Sequence, residues 1–184
     1  MAHSTFETAH WISFPVELVF AFFANPHNLP HLMPPGLRVQ IDRLELVAPP
    51  LRPEAVVPER QFQSLAAGAG TRIGIRFRPL PWLPLRTGWT ARIVEFAWNS
   101  HFIDHQESGP FAYFRHRHGI EPRWQEGQEG TWVSDRIEYA LPGGVLGQAA
   151  GPLLHRQLAR QFAHRQARLS EILSTAARQA SRRG

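Results

Sequence analysis

The chain has 184 residues, of which 43% are hydrophobic and 19% charged, with a formal net charge of +5. That balance excludes a charge-rich disordered chain, and the composition does not shift along the sequence, so one folded domain is expected. The absence of cysteine excludes disulfides, thiolate metal sites and a cysteine nucleophile, and because all 20 basic residues are arginine a lysine Schiff base is excluded too.

The arginines are dispersed and match no nucleic-acid reader motif, so no nucleic-acid partner is expected. Trp11 to Phe23 is the most apolar early stretch, but it contains Pro15 and Glu17 and is shorter than the roughly 20 residues a membrane span needs. The N-terminus carries no basic segment followed by an apolar one, and the expected location is the cytoplasm.

Along the chain, Phe6, Thr8, His10 and Ile12 alternate with Glu7, Ala9 and Trp11 and predict a first strand. Pro15 then opens a short helix on which Val16, Val19, Phe20 and Phe23 share a face, ended by Asn25-Pro26. Residues 28–36, with three prolines, predict an irregular connection or one helical turn, and His27 and His31 are expected in water. Leu37, Val39 and Ile41, continuing to Leu44 and Leu46, suggest a second strand. Residues 48–70, rich in Pro, Ala and Gly, read as a long loop, either mobile or a lid.

From Thr71 the pattern is β: Ile73, Ile75 and Phe77 alternate with arginines, and Trp89, Ala91 and Ile93 with Thr90, Arg92 and Val94. Further strands are predicted at residues 100–106, 111–120 and 132–139, and their short connections imply an antiparallel meander. Trp82, among Pro79, Pro81 and Pro84, reads as an exposed turn or cavity rim. After Pro142, Leu158, Phe162, Arg165, Leu169, Ile172 and Ala176 recur at intervals of four and three, the mark of one long helix whose inner face is apolar except for Arg165. Its start is placed between Val145 and Pro152. The domain is taken as residues 1–177, with 178–184 a disordered tail.

This order of elements resembles the START-like superfamily, also called SRPBCC. Phe102, Asp104 and Gln106, then Gly109-Pro110-Phe111, then Phe114, His116 and His118, then Asp135, Ile137, Tyr139, Pro142 and Leu146-Gly147 are similar to its bacterial cyclase/dehydrase-like branch, as is the closing run Phe162 to Arg165. The resemblance implies an α+β helix-grip fold: a curved antiparallel sheet of six to seven strands around a long C-terminal helix, with short helical segments after the first strand. It implies a cavity between sheet and helix for a small hydrophobic ligand such as a lipid, polyketide or aromatic compound, and no cofactor. The alternative is a polyketide cyclase/dehydrase-like enzyme.

Residues two apart on a strand share a face, so Phe114, His116, His118 and Ile120 lie together, and Asp135 belongs with Val133, Ile137 and Tyr139. Alternation in the preceding strand fits either face, and the family pattern selects Phe102, Asp104 and Gln106 as inward. A buried aspartate is costly unless paired, so Asp135 is expected to pair with Arg165 or a histidine. The candidate ligand-binding set is Phe102, Asp104, Gln106, Phe114, His116, His118, Asp135, Tyr139, Phe162 and Arg165. His116, His118 and Asp135 are the catalytic candidates, with Tyr139 or Arg165 to polarise a carbonyl. Those same three could in principle hold zinc or iron, but the resemblance implies none, and no metal is expected. Assembly as a homodimer through a sheet edge or the helix is compatible with either function.

Overall fold

A computed structural model describes residues 3–53, 64–79 and 85–182. Seven strands form one antiparallel sheet: β1 (Ser4–Ile12), β2 (Gln40–Glu45), β3 (Arg72–Phe77), β4 (Thr87–Ala97), β5 (His101–Ser108), β6 (Tyr113–Gln125) and β7 (Gln128–Ala140). Strands β2 to β7 follow one another as a meander, and β1 closes the far edge against β7, with Thr8 opposite Asp135. Between β1 and β2 lie α1 (Val16–Ala24), the single turn α2 (Leu29–Leu32) and two 3₁₀ turns, Pro26–Asn28 and Pro35–Leu37. After β7 come α3 (Gly144–Ala149) and α4 (Gly151–Ser181). This is the expected helix-grip architecture.

The helix packs by the face its spacing predicts, with Leu158, Phe162 and Leu169 buried, but Leu173 is buried where Ala176 is exposed. The helix continues through Arg178, where the sequence suggested a tail; Arg178 Nη2 donates to Thr175 Oγ1 at 3.2 Å. Alanine, arginine and glutamine are strong helix formers, so helical backbone propagates past the last buried residue.

Two other differences are local. The alternation of β2 jumps from Ile41 to Leu44 because the register shifts between Ile41 and Arg43, a bulge that turns the later residues over; Leu37 lies in a 3₁₀ turn rather than in the strand. Strands β6 and β7 also run beyond 120 and before 132 as an exposed hairpin. Glu126 (φ 50°) and Gly127 (φ 77°) make its two-residue turn, the positive-φ pair that matches strand twist. Both hairpin faces are largely solvated there, so no alternation marks them.

The ends of the long loop are anchored. Ala67 N donates to Ala24 O at 2.9 Å and Trp98 Nε1 to Pro50 O at 2.8 Å, while residues 54–63 fall outside the described set, as does Trp82. His27 and His31 are exposed. Gly147 lies where α3 folds back on β7's end: a Cβ there would stand 2.1 Å from the Pro142 carbonyl oxygen, so only glycine fits. Among the described residues no helix is long and apolar enough to cross a membrane.

Candidate functional site

The core divides into two apolar clusters. One, around Ile12, Phe20, Phe102, Ile120, Val133 and Leu169, lies towards α1; the other is built from Phe6, Phe114, Ile137, Tyr139, Leu158 and Phe162. A polar belt crosses the sheet between them, because each inner strand face carries its polar residues at the same level. Thr8 and His10 of β1, Asp135 of β7, His116 and His118 of β6 and Asp104 of β5 follow in strand order, with His118 opposite Asp135 and His116 opposite Asp104. Arg165 and Gln166 of α4 meet the belt from above. Gln166 Nε2 donates to Thr8 Oγ1 at 3.0 Å.

Two carboxylates and two imidazoles interlock at its centre. His116 Nε2 lies 2.9 Å from Asp135 Oδ1 and His118 Nε2 lies 3.1 Å from Asp104 Oδ2. His118 Nδ1 also stands 3.1 Å from Asp135 Oδ1, but out of line for a hydrogen bond, and the ring centres of the two histidines are 3.7 Å apart. Phe102 stacks on His118 at 4.2 Å, and Phe114 and Phe162 present edges to His116. Aromatic rings thus flank both imidazoles and keep them largely buried. The Arg165 guanidinium rests over the Phe162 ring at 4.5 Å, so Asp135 takes the histidines as contact partners and feels Arg165 as a nearby charge.

These surroundings set the charges. Burial pushes the Asp135 carboxyl up, but the contacts from His116 and His118 and the Arg165 charge outweigh it and hold the group well below the usual carboxylate range. Asp104 is likewise lowered, since the His118 hydrogen bond and the charges of His116, His118 and Arg165 overcome its burial. The histidines part company. Burial and the neighbouring His118 charge lower His116 despite the carboxylates; burial also pushes His118 down, but its hydrogen bond to Asp104, its close contact with Asp135 and the charges of both aspartates outweigh it and raise it. The belt therefore gathers two carboxylates, two imidazoles driven in opposite directions and Arg165, so buried groups of both signs face one another.

Beside the belt a cavity of about 440 Å³ lies between sheet and α4. Its wall is mainly apolar, formed among others by Phe23, Leu32, Ile75, Trp89 and Leu154, and Asp104, His116, His118 and Arg165 all reach it. Of the candidate set, Phe102, Phe114 and Phe162 also line it. Asp135 and Tyr139 lie behind the lining, buried. Gln106 turns instead to the loop, its amide bonded to both the N–H and the carbonyl of Phe111 at 3.3 and 2.8 Å.

His10 is the belt residue that the sequence selection omitted, although its alternation with Phe6, Thr8 and Ile12 put it on this face. Both its ring nitrogens are buried without a hydrogen-bond partner among the described residues, and burial lowers its pKa. Trp89 combines a cavity position with a buried indole N–H that likewise finds no partner among the described residues.

A sheet gripping one long helix over an apolar cavity with a charged inner end defines a helix-grip ligand-binding domain. The sequence pattern of the polyketide cyclase/dehydrase and lipid transport family matches residues 12–166, and the chain belongs to that family. No curated protein matches it. Among solved structures it is similar to a protein of Thermus thermophilus at 18% identity and a TM-score of 0.62, covering 94% of this chain and 99% of that one. A START superfamily protein of Mycobacterium smegmatis is similar at 12% identity and a TM-score of 0.61, over 95% and 99% of the two chains. Norcoclaurine synthase of Thalictrum flavum, in complex with dopamine and hydroxybenzaldehyde, is similar at 12% identity and a TM-score of 0.59, over 95% and 88%. At these identities the likeness is one of fold.

Proposed function

We propose that the chain binds a small, mostly apolar molecule of lipid, polyketide or aromatic type, seating its oxygen-bearing end against Asp104, His116, His118 and Arg165. The supporting observation is that these polar groups reach a cavity of about 440 Å³ whose remaining wall is largely apolar. Apolar burial at about 25 cal/mol per Å² drives the body of the ligand in, and the convergent polar groups set its direction. The family description pairs polyketide chemistry with lipid transport, and both substrate types join an apolar body to oxygen functions.

The partner is then a small molecule met in the cytoplasm, not a nucleic acid. On the outer face Arg72, Arg76, Arg92 and Arg115 each stand within 4 Å of a carboxylate, which leaves little concentrated positive charge for a phosphate backbone. The test is thermal unfolding with a panel of fatty acids, hydroxylated aromatics and polyketide-like phenols. A ligand at 100 times its Kd adds about 2.7 kcal/mol, roughly 5–11 °C at this chain length. A panel that leaves the midpoint unmoved defeats the proposal.

One observation favours catalysis as a second reading: two adjacent imidazoles, 3.7 Å apart at the cavity, are pushed in opposite directions, His116 down and His118 up. Such a divergent pair can divide the work of a dehydrating aldol cyclisation. His116 would take the proton next to a carbonyl polarised by Arg165, His118 would protonate the departing hydroxyl, and Asp135 would position both. Turnover of a β-keto substrate that His116→Gln abolishes without loss of binding supports this reading; equal binding and no turnover by the unaltered protein dismisses it.

A further inference from the structure

We propose that Asp104, His116 and His118 form a site for one divalent transition-metal ion at the charged end of the cavity, with Asp135 behind it aiming both imidazoles. A ligand atom from each of the three residues lies within 4.8 Å of the others. Asp104 Oδ2 stands 3.1 Å from His118 Nε2 and 3.9 Å from His116 Nδ1. A tetrahedral ion with bonds of about 2.0–2.1 Å holds its ligand atoms roughly 3.3 Å apart, so one pair already has near-final spacing and small side-chain rotations close the rest.

The far sides of the rings supply the stronger reason. His116 Nε2 and His118 Nδ1 both face Asp135 Oδ1, at 2.9 and 3.1 Å. A carboxylate in that position holds the ring protons on those two nitrogens, so an ion that displaces the proton His118 Nε2 gives to Asp104 meets the lone pairs of His116 Nδ1 and His118 Nε2 on the Asp104 side, the arrangement that carboxylates impose on metal-binding histidines. Without an ion the cluster is imperfect, because His116 Nδ1 is beyond hydrogen-bond reach of Asp104 and His118 Nδ1 makes no aligned bond. An ion between the three ligands satisfies the first and frees the second ring to tilt towards Asp135.

The sequence suggested Asp135 as the third ligand and no metal; the strand register exchanges the roles of the two aspartates. Two imidazoles and one carboxylate suit zinc and its first-row neighbours better than magnesium or calcium. All three ligands line the cavity, so the ion keeps a position open to water or to an oxygen of a bound molecule.

The test is titration of chelator-treated full-length protein with cobalt(II), followed by visible absorption and calorimetry, then displacement by zinc. One equivalent is expected to give the intense visible bands of a four- or five-coordinate site. Asp104→Asn and His118→Gln, each checked for folding by circular dichroism, are expected to lose binding, and Asp135→Asn to weaken it about 10- to 100-fold. His27→Gln, at an exposed position, is expected to change nothing. The proposal is overturned by no saturable binding, by the faint bands of six-coordinate cobalt in the unaltered protein, or by binding that folded Asp104→Asn and His118→Gln retain.

Discussion

Replacing Asp135 by alanine removes the group on which the buried belt converges. The side chain is 6% exposed, touches two imidazoles at 2.9 and 3.1 Å and feels the Arg165 charge, so its loss strands buried positive charge. Breaking a buried pair in this way costs about 3–5 kcal/mol. A domain of this length loses about 2–4 °C of midpoint per kcal/mol, which gives a fall of roughly 6–20 °C in the metal-free protein by calorimetry at pH 7. Asp135→Asn keeps the shape and one acceptor, and about 1–3 kcal/mol is expected. The pH dependence has a definite sign. With its folded pKa below the ordinary 3.8, the carboxylate stabilises fully above that value and loses its contribution as pH falls beneath it, so the gap between the unaltered protein and the asparagine variant narrows in acid. A fall of less than about 1 kcal/mol for Asp135→Ala, or a gap that does not change with acid, refutes the coupled belt.

Three further outcomes follow from the packing. Phe162→Ala, at a side chain shared by the second apolar cluster and the cavity wall, is expected to lower stability in urea by about 3–5 kcal/mol. Gly147→Ala places a methyl 2.1 Å from the Pro142 oxygen; its unfolding midpoint is expected to drop, while the exposed-site control Gly127→Asn, at a turn position that tolerates asparagine, moves by less than about 0.5 kcal/mol. Ala91→Phe directs a ring into the cavity and is expected to abolish stabilisation by apolar ligands while leaving far-ultraviolet circular dichroism unchanged.

Strands β3, β4, β6 and β7 were legible in the sequence because one face is turned to the core and the other to water, which makes residues such as Ile73, Ile75 and Phe77 alternate with arginine. The helix was legible for the same reason, through Leu158, Phe162 and Leu169. What escaped was set by non-local or cancelling effects. The pairing of β1 with β7 joins residues as distant as Thr8 and Asp135, and no local pattern announces it. Alternation placed His116, His118 and Asp135 on the inner face, but only the register shows that Asp104 faces the histidines from the other side while Arg165 lies over Phe162. Asp104 itself had no independent signal, since both faces of β5 mix polar and apolar residues and both bury some of them, Phe102 on one and Ile103 on the other.

The most direct test of cavity binding is native mass spectrometry of freshly purified protein beside the Ala91→Phe variant, supplemented with the apolar panel. A small-molecule adduct of one per chain on the unaltered protein, absent from the variant, is the expected result. Adducts equal on both proteins, or absent from both across the whole panel, contradict a ligand-holding cavity.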